Sequence, residues 1–558
     1  MKASGTQLFN LLQGQQHFMI PLFQRTYSWN RKNCESLWKD IVEVYEGRME
    51  EQHFLGSIVT KSQDATPEGV SPFLVIDGQQ RLTTLTLLLA ALRDFARSEA
   101  PQLADKIHRL YLTNEFASDV HGYKLLPTQA DRKVYRAIID GTVEEDPKLP
   151  WSRTKEAYDY FRDRVANTRV DEESIDLKKL EQVVVMGLEI VSITLDDSDN
   201  EYRIFESLNA TGAPLTQSDL LRNYFFMRMP VDRHEEIYHN VWLPMQESLG
   251  GALESFFRYE FMSGGQFVRE ADVYLAWKKR LDPCSSEELI EKLRYLAQEA
   301  RFYKRLVDPK AESDLGISRG LARLNRWGAQ TAYPFLLNMY RRYDQGAMDA
   351  EQYTRILRLI ESFLIRRFFA RVPTNQLNRL FMRLAYQLPD GHGPVEATRI
   401  ALSDPGRRWP RDEDFRESVL RFPLYTEGRY EQRRLILESL EESYGSKESV
   451  NLADLNIEHV MPQTLSEQWV VALDENAAEV HTKVVHLLGN LSLTGFNPEL
   501  SNSPFQEKRR ILAESNVEMN KEIARETEWT PAQIDERSRR LAERALEIWP
   551  GPVTTWAP

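Results

Sequence analysis

The chain has 558 residues, and its 71 Lys plus Arg against 84 Asp plus Glu leave a formal net charge of −13, which argues against a protein that coats nucleic acid by bulk positive charge. Cysteine occurs only at Cys34 and Cys284, which excludes a disulfide framework and a cysteine-built structural zinc site and points to a reducing cytosol. Hydrophobic residues make up 42%, enough for real cores, yet the longest apolar stretch, Leu85 to Leu92, is far shorter than the roughly 18 residues of a membrane span.

Hydrophobic patterning divides the chain into three regimes, 1–235, 236–445 and 446–558. In the first, the runs Gly56 to Thr60, Phe73 to Ile76 and Ile190 to Leu195 read as strands between helical stretches, which predicts a mixed α/β region. Ile20-Pro21-Leu22-Phe23-Gln24-Arg25-Thr26-Tyr27-Ser28-Trp29 combines amide, guanidinium and aromatic groups suited to stacking on a base or sugar. Val75-Ile76-Asp77-Gly78-Gln79-Gln80-Arg81 runs from a strand through a glycine turn into an apolar helix, where free amides and the helix dipole form an anion cradle. Asp77 there suits a metal or ribose hydroxyl, Gln79 and Gln80 a base or phosphate, and Arg81 a phosphate; equally, Asp77 reads as a helix cap and the others as a polar face. Phe205 to Gly212 closes a helix with Asn209 and Gly212, and another starts before Asp219 to Asn223. No GxxxxGK[ST] loop occurs, so any nucleotide must use a different cradle.

From 236 to 445 the periodicity is helical; Ile356, Leu359, Ile360, Phe363 and Leu364 make one buried stripe. Residues 353–434 carry 16 Arg, no Lys and 10 acids, a local charge of 16 − 10 = +6, and Arg suits bidentate phosphate contacts as well as it suits solvated helix faces. His234 and His239 are five apart, one residue too many for a zinc helix; His481 and His486 share that spacing.

In the last regime, short strands are predicted at Ile457 to Met461 and Leu491 to Thr494, then a helix with Ser503 as cap and Pro504 first. An imidazole to deprotonate water, hard oxygen donors for a cation and an amide to orient the imidazole are all present, as a one-metal nuclease requires. His459 as an interior imidazole, Asn490 as a turn residue and Asn497 as a cap are the plainer alternatives.

The order IPxFQRxYxW, FLGS, DGQQR, then FExxNxxG with DLxRN resembles the ParB/sulfiredoxin-like DGQQR domain of the GmrSD modification-dependent (type IV) restriction endonucleases, a family that includes SspE- and BrxU-like proteins. EHxxPQ, LGNLxL and NxxF followed by Lys508 resemble the HNH domain that ends those proteins. The resemblance implies an α+β multidomain chain: a ParB-like nucleotide-binding sensor at 1–235, a helical linker at 236–445, and a ββα-metal (HNH) endonuclease at 446–558. Carried over by residue, nucleotide binding falls to Asp77, Gly78, Gln79, Gln80, Arg81, Gln24, Arg25 and Asn209, and GTP, UTP, CTP and ATP are not distinguished. His459 becomes the general base, Asn490 the residue that holds its ring, and Glu458 and Asn497 the Mg2+ or Mn2+ ligands, with Asn502 the alternative to Asn497. Lys508 and Arg509 are expected on phosphate, and Arg366 and Arg367 on the DNA backbone. The activity implied is NTP-dependent or NTP-regulated nicking or cleavage of modified double-stranded DNA in cytoplasmic anti-phage defence, with no membrane partner and homo-oligomerisation left open. The alternative is a nucleotide-controlled DNA-binding or assembly module whose HNH unit is silent.

Overall fold

The three apolar runs of the first regime lie at the centre of one six-stranded sheet. The computed structural model describes residues 2–48, 53–64, 69–117, 119–146, 149–196, 204, 215–446, 450–473 and 477–553. They group into two units, Met1–Pro244 with Tyr274–Arg294, and Met245–Val273 with Tyr295–Pro558.

In the first unit the strands are β1 (Lys2–Gln7), β2 (Gln16–Met19), β3 (His53–Ser62), β4 (Ser71–Asp77), β5 (Leu125–Leu126), a small hairpin of β6 (Arg169–Val170) and β7 (Glu173–Ser174), and β8 (Leu188–Leu195). The main sheet has the order β1-β8-β3-β4-β2-β5. β3 pairs antiparallel with β4 and parallel with β8, with a register shift between Phe54 and Gly56. Such parallel pairs need long crossovers, and helices supply them. The helix Gln79–Glu99 holds the Leu85 to Leu92 stretch, its leucines and alanines at most 1% exposed, and it packs against the helix Arg153–Asn167. A helix apolar on all sides is one that other elements cover on all sides.

In the second unit Asp349 and Gln352 form a capping box at the start of the helix Ala350–Phe369, and its predicted stripe is buried. Further along lie the helices Leu424–Glu427 and Tyr430–Glu442, then β9 (Asn456–His459) antiparallel to β10 (Leu491–Thr494), with the helices Glu467–Leu473 and Ala477–Val484 between the two strands. The next long helix is Phe505–Ala513, with Pro504 at the cap rather than at the first turn and no side chain capping the helix. Val460, Met461, Trp469, Phe505, Leu512 and Trp529 share the small core beneath this strand pair.

Two DNA-contact expectations are corrected here. Arg366 is wholly buried, its Nε donating to Trp549 O at 2.7 Å and its Nη1 to Pro410 O at 3.1 Å, with Asp412 at 2.7 Å from Nη2. Arg367, 6% exposed, donates to the carbonyls of Arg407, Arg408 and Pro373. Five fixed donors let an Arg tie together loops whose carbonyls have no helical partner, so neither guanidinium faces solvent. No helix among the described residues is long and apolar enough to cross a membrane.

Candidate functional site

The first unit builds the cradle where β4 ends. Gly78 has φ +86°, and a Cβ there would stand 2.8 Å from Ser57 O, so both backbone conformation and close packing require glycine. The first bond within the following helix runs from Leu82 N to Gly78 O, which leaves the amides of Gln79, Gln80 and Arg81 ahead of it. Arg81 lies flat over Gly56, where a Cβ would meet its guanidinium at 3.0 Å; its Nη1 donates to Ser57 O at 2.6 Å and lies 3.8 Å from Asp77 Oδ2. This is the structural use of the FLGS motif.

The two most buried amides of the cradle are not ligand groups. Gln24 Nε2 donates to Val75 O at 2.7 Å and Ile76 O at 3.1 Å. Gln80 Oε1 accepts from Ser28 N at 2.7 Å, and its Nε2 donates to Thr26 O at 3.3 Å. Both stitch the Ile20 to Trp29 segment onto the strand and helix, and both are buried. Arg25 stays half-exposed; burial lowers its pKa, opposed by Asp219 and Asp77. Asp219 closes a capping box with Thr216 and pairs with Arg222 at 2.7 Å. These two, from the DLxRN motif, join Arg25, Asp77 and Arg81 in one charged cluster that the sequence reading had not gathered. Asn209 lies outside the described residues. Beside this segment a cavity of about 540 Å3 is lined by Trp29, Asn30, Trp151, Lys155, Asp159 and Tyr160.

The second unit builds the nuclease-like centre on β9 and β10. Their register sets Leu491 opposite His459 and Ser492 opposite Glu458. Asn490 is fully buried and saturated: its Nδ2 donates to Met461 O and Val485 O, both at 2.9 Å, while its Oδ1 accepts from Met461 N at 2.8 Å and Trp529 Nε1 at 3.0 Å. It fixes the turn after β9 and does not hold the imidazole, which corrects its expected role. The ring partner of His459 is His486: Nε2 and Nδ1 are 3.4 Å apart, a long hydrogen bond. Tyr425 sets its ring edge-on to His459 with centroids 4.3 Å apart, and Arg433 lies over Tyr425 at 4.3 Å. Burial first, then the charges of His486, Lys508, Arg433 and His481, push the His459 imidazole down to about 3, so it is neutral at physiological pH.

Lys508 is also corrected. Its ammonium is fully buried, 2.7 Å from Glu458 Oε1 and 2.9 Å from His459 O, out of reach of a phosphate. Burial pushes Glu458 up and Lys508 down, each partner opposing the shift of the other. Arg509 is half-exposed and donates through Nε to Ala524 O at 2.9 Å. Asn497 keeps a buried Oδ1 with no hydrogen-bond partner, a suitable donor for a hard cation. Glu458, however, already has its cation in Lys508, and among the described residues no three His, Cys, Asp or Glu side chains form a metal-binding group. The arrangement therefore does not fit a divalent ion at Glu458.

Nothing local in the sequence marks Tyr425 or Arg433 as neighbours of His459, and the five-residue spacing of His481 and His486 gives no sign that His486 meets His459. Residues 8–226 match the model of the GmrSD restriction endonuclease N-terminal domain, and residues 409–544 match that of the GmrSD restriction endonuclease C-terminal domain. No curated protein matches the chain. The second match covers Tyr425 and Arg433 as well as His459, His486 and Lys508. With both domains present in this order, the chain belongs to the GmrSD restriction endonucleases and is a DNA endonuclease of a restriction system.

Proposed function

We propose that this endonuclease is regulated by a nucleoside triphosphate, senses modified double-stranded DNA, and hydrolyses a phosphodiester with His459 as base. In this reading the six-stranded sheet is the ParB/sulfiredoxin-like sensor, and β9, β10 and the helix Phe505–Ala513 are the HNH finger. The observation that carries the reading is the His459 ring at the end of β9, 3.4 Å from the His486 ring nitrogen and edge-on to Tyr425. In this step the His459 imidazole takes a proton from water, the water oxygen bonds to phosphorus as the bond to the leaving O3′ breaks, and solvent protonates that oxygen. Burial makes the free ring a weak base, and the negative charge of a bound phosphate would raise its proton affinity. Arg433, one of the charges near His459, would favour the dispersed negative charge of the phosphorane-like transition state.

In the cradle, Arg25, Gln79, Arg81 and the first-turn amides would face the triphosphate, and Asp77 a ribose hydroxyl or cation. The cavity between Trp29 and Trp151 suits a base or sugar by stacking. Mg2+ or Mn2+ belongs to the proposal through the unpartnered Asn497 oxygen, and engagement of Glu458 would require Lys508 to release it. The Lys508–Glu458 pair is also the observation that favours the second reading, a nucleotide-controlled DNA-binding module with a silent HNH unit.

A plasmid panel tests both: unmodified, phosphorothioated and glucosylated DNA, each with Mg2+ or Mn2+ and with or without each NTP. The expected outcome is nicking of a modified substrate that responds to one NTP and falls about 10²- to 10⁴-fold in His459→Ala. Undiminished nicking by His459→Ala refutes the base, and no nicking under any condition supports the silent module. Unchanged NTP affinity in both Arg25→Ala and Arg81→Ala by calorimetry refutes the cradle.

A further inference from the structure

A base that abstracts a proton through one ring nitrogen needs the other nitrogen protonated and held, or the ring rotates and its tautomers exchange. Asn490 cannot do this for His459, because all four of its hydrogen-bonding positions are taken by Met461, Val485 and Trp529. We propose that His486, gripped by Tyr425, is the positioning residue of the nuclease centre: its Nδ1 accepts the Nε2 proton of His459 and leaves His459 Nδ1 bare for the attacking water. The proposal rests on the nuclease reading of His459.

His486 is placed for this role by contacts independent of the histidine pair. The Tyr425 amide donates to His486 O at 3.3 Å, and the two rings stack with centroids 5.6 Å apart and planes 11° from parallel. Tyr425 is held in turn: Arg433 Nη1 donates to its carbonyl at 2.7 Å while the guanidinium covers its ring. On the other side, a His481 ring nitrogen lies 2.8 Å from Pro462 O, which ties the helix leading into His486 to the turn that follows β9. Two braced backbones thus hold the His459 and His486 ring nitrogens 3.4 Å apart. His486 is half-buried, and its ring contacts are Tyr425 and His459.

The test uses the full-length protein and whichever plasmid of the three-DNA panel the wild type nicks. His486→Phe keeps the stack on Tyr425 and removes the nitrogens; His486→Asn restores an acceptor near the Nδ1 position. The expected result is a kcat about 100-fold lower for His486→Phe with the KM for DNA and the melting temperature unchanged, and recovery to within about tenfold of wild type in His486→Asn. If His486→Phe shows no cooperative melting transition, His486→Ala takes its place in the comparison. Wild-type kcat in a folded His486→Phe or His486→Ala overturns the proposal, as does equal loss in the Asn variant. The companion His459→Ala separates the two levels: if it is inactive while His486→Phe is fully active, the base stands and its positioning by His486 falls.

Discussion

At the residue scale, a lysine ammonium with no solvent exposure decides how Glu458 is available. Removing one partner of a buried ion pair leaves the other charged and unpaired, which typically costs about 3 to 5 kcal/mol, whereas replacing both is much milder. Lys508→Met is therefore expected to lose about that much in urea unfolding, and Glu458→Gln/Lys508→Met to recover most of it. The same pair makes a binding prediction: if Lys508 excludes a divalent ion from Glu458, Mn2+ binds Lys508→Met more tightly than wild type by calorimetry, and an unchanged affinity would show that the metal is held elsewhere. The residue types needed for this chemistry were legible in the EHxxPQ and LGNLxL segments. Which side chain touches which was not: Glu458 and Lys508 are 50 positions apart, and the amide read as a ring holder is closed on its own turn.

At the element scale, strands and helices followed the apolar pattern closely because each has one period and a buried face. β3, β4 and β8 contain the three predicted runs, and the helix Ala350–Phe369 carries the predicted stripe. The discrepancies lie at ends, as with Pro504, which is the cap of a helix that no side chain caps. The joint between β4 and the helix Gln79–Glu99 is the most demanding of these ends, with positive φ and a Cβ position 2.8 Å from Ser57 O at Gly78. Gly78→Ala is expected to destabilise the protein by more than about 1 kcal/mol, since strain in the left-handed region adds to the clash with backbone. Chemical denaturation measures this, and a neutral Gly78→Ala would mean that β3 moves away readily.

At the scale of the whole molecule, the arginine-rich block from 353 to 434 looked like a local surplus of charge for DNA. Arg366 and Arg367 instead bind loop carbonyls in the interior, and Arg416, Arg421 and Arg434 pair with Glu543, Glu417 and Glu438. Arg366→Met is accordingly expected to lower stability by about 2 kcal/mol or more, because the Trp549 and Pro410 carbonyls lose their donor, while leaving the salt dependence of DNA binding unchanged. Anisotropy titrations across ionic strength check it, since loss of a true phosphate contact lowers the slope of log K against log salt by about 0.9. The sequence by itself determined the family, the order of its two matched domains, the main strands and helices, and the residue types at both candidate centres, because these depend on local pattern and motif order. Tertiary structure alone decided that Gln24, Gln80, Asn490, Arg366 and Lys508 are internal fasteners, and that Tyr425 and His486 pack against His459 with Arg433 over Tyr425. The physical reason is that a polar side chain takes whichever partner folding brings within hydrogen-bond distance, and most of those partners lie tens of residues away, where no period or spacing records them.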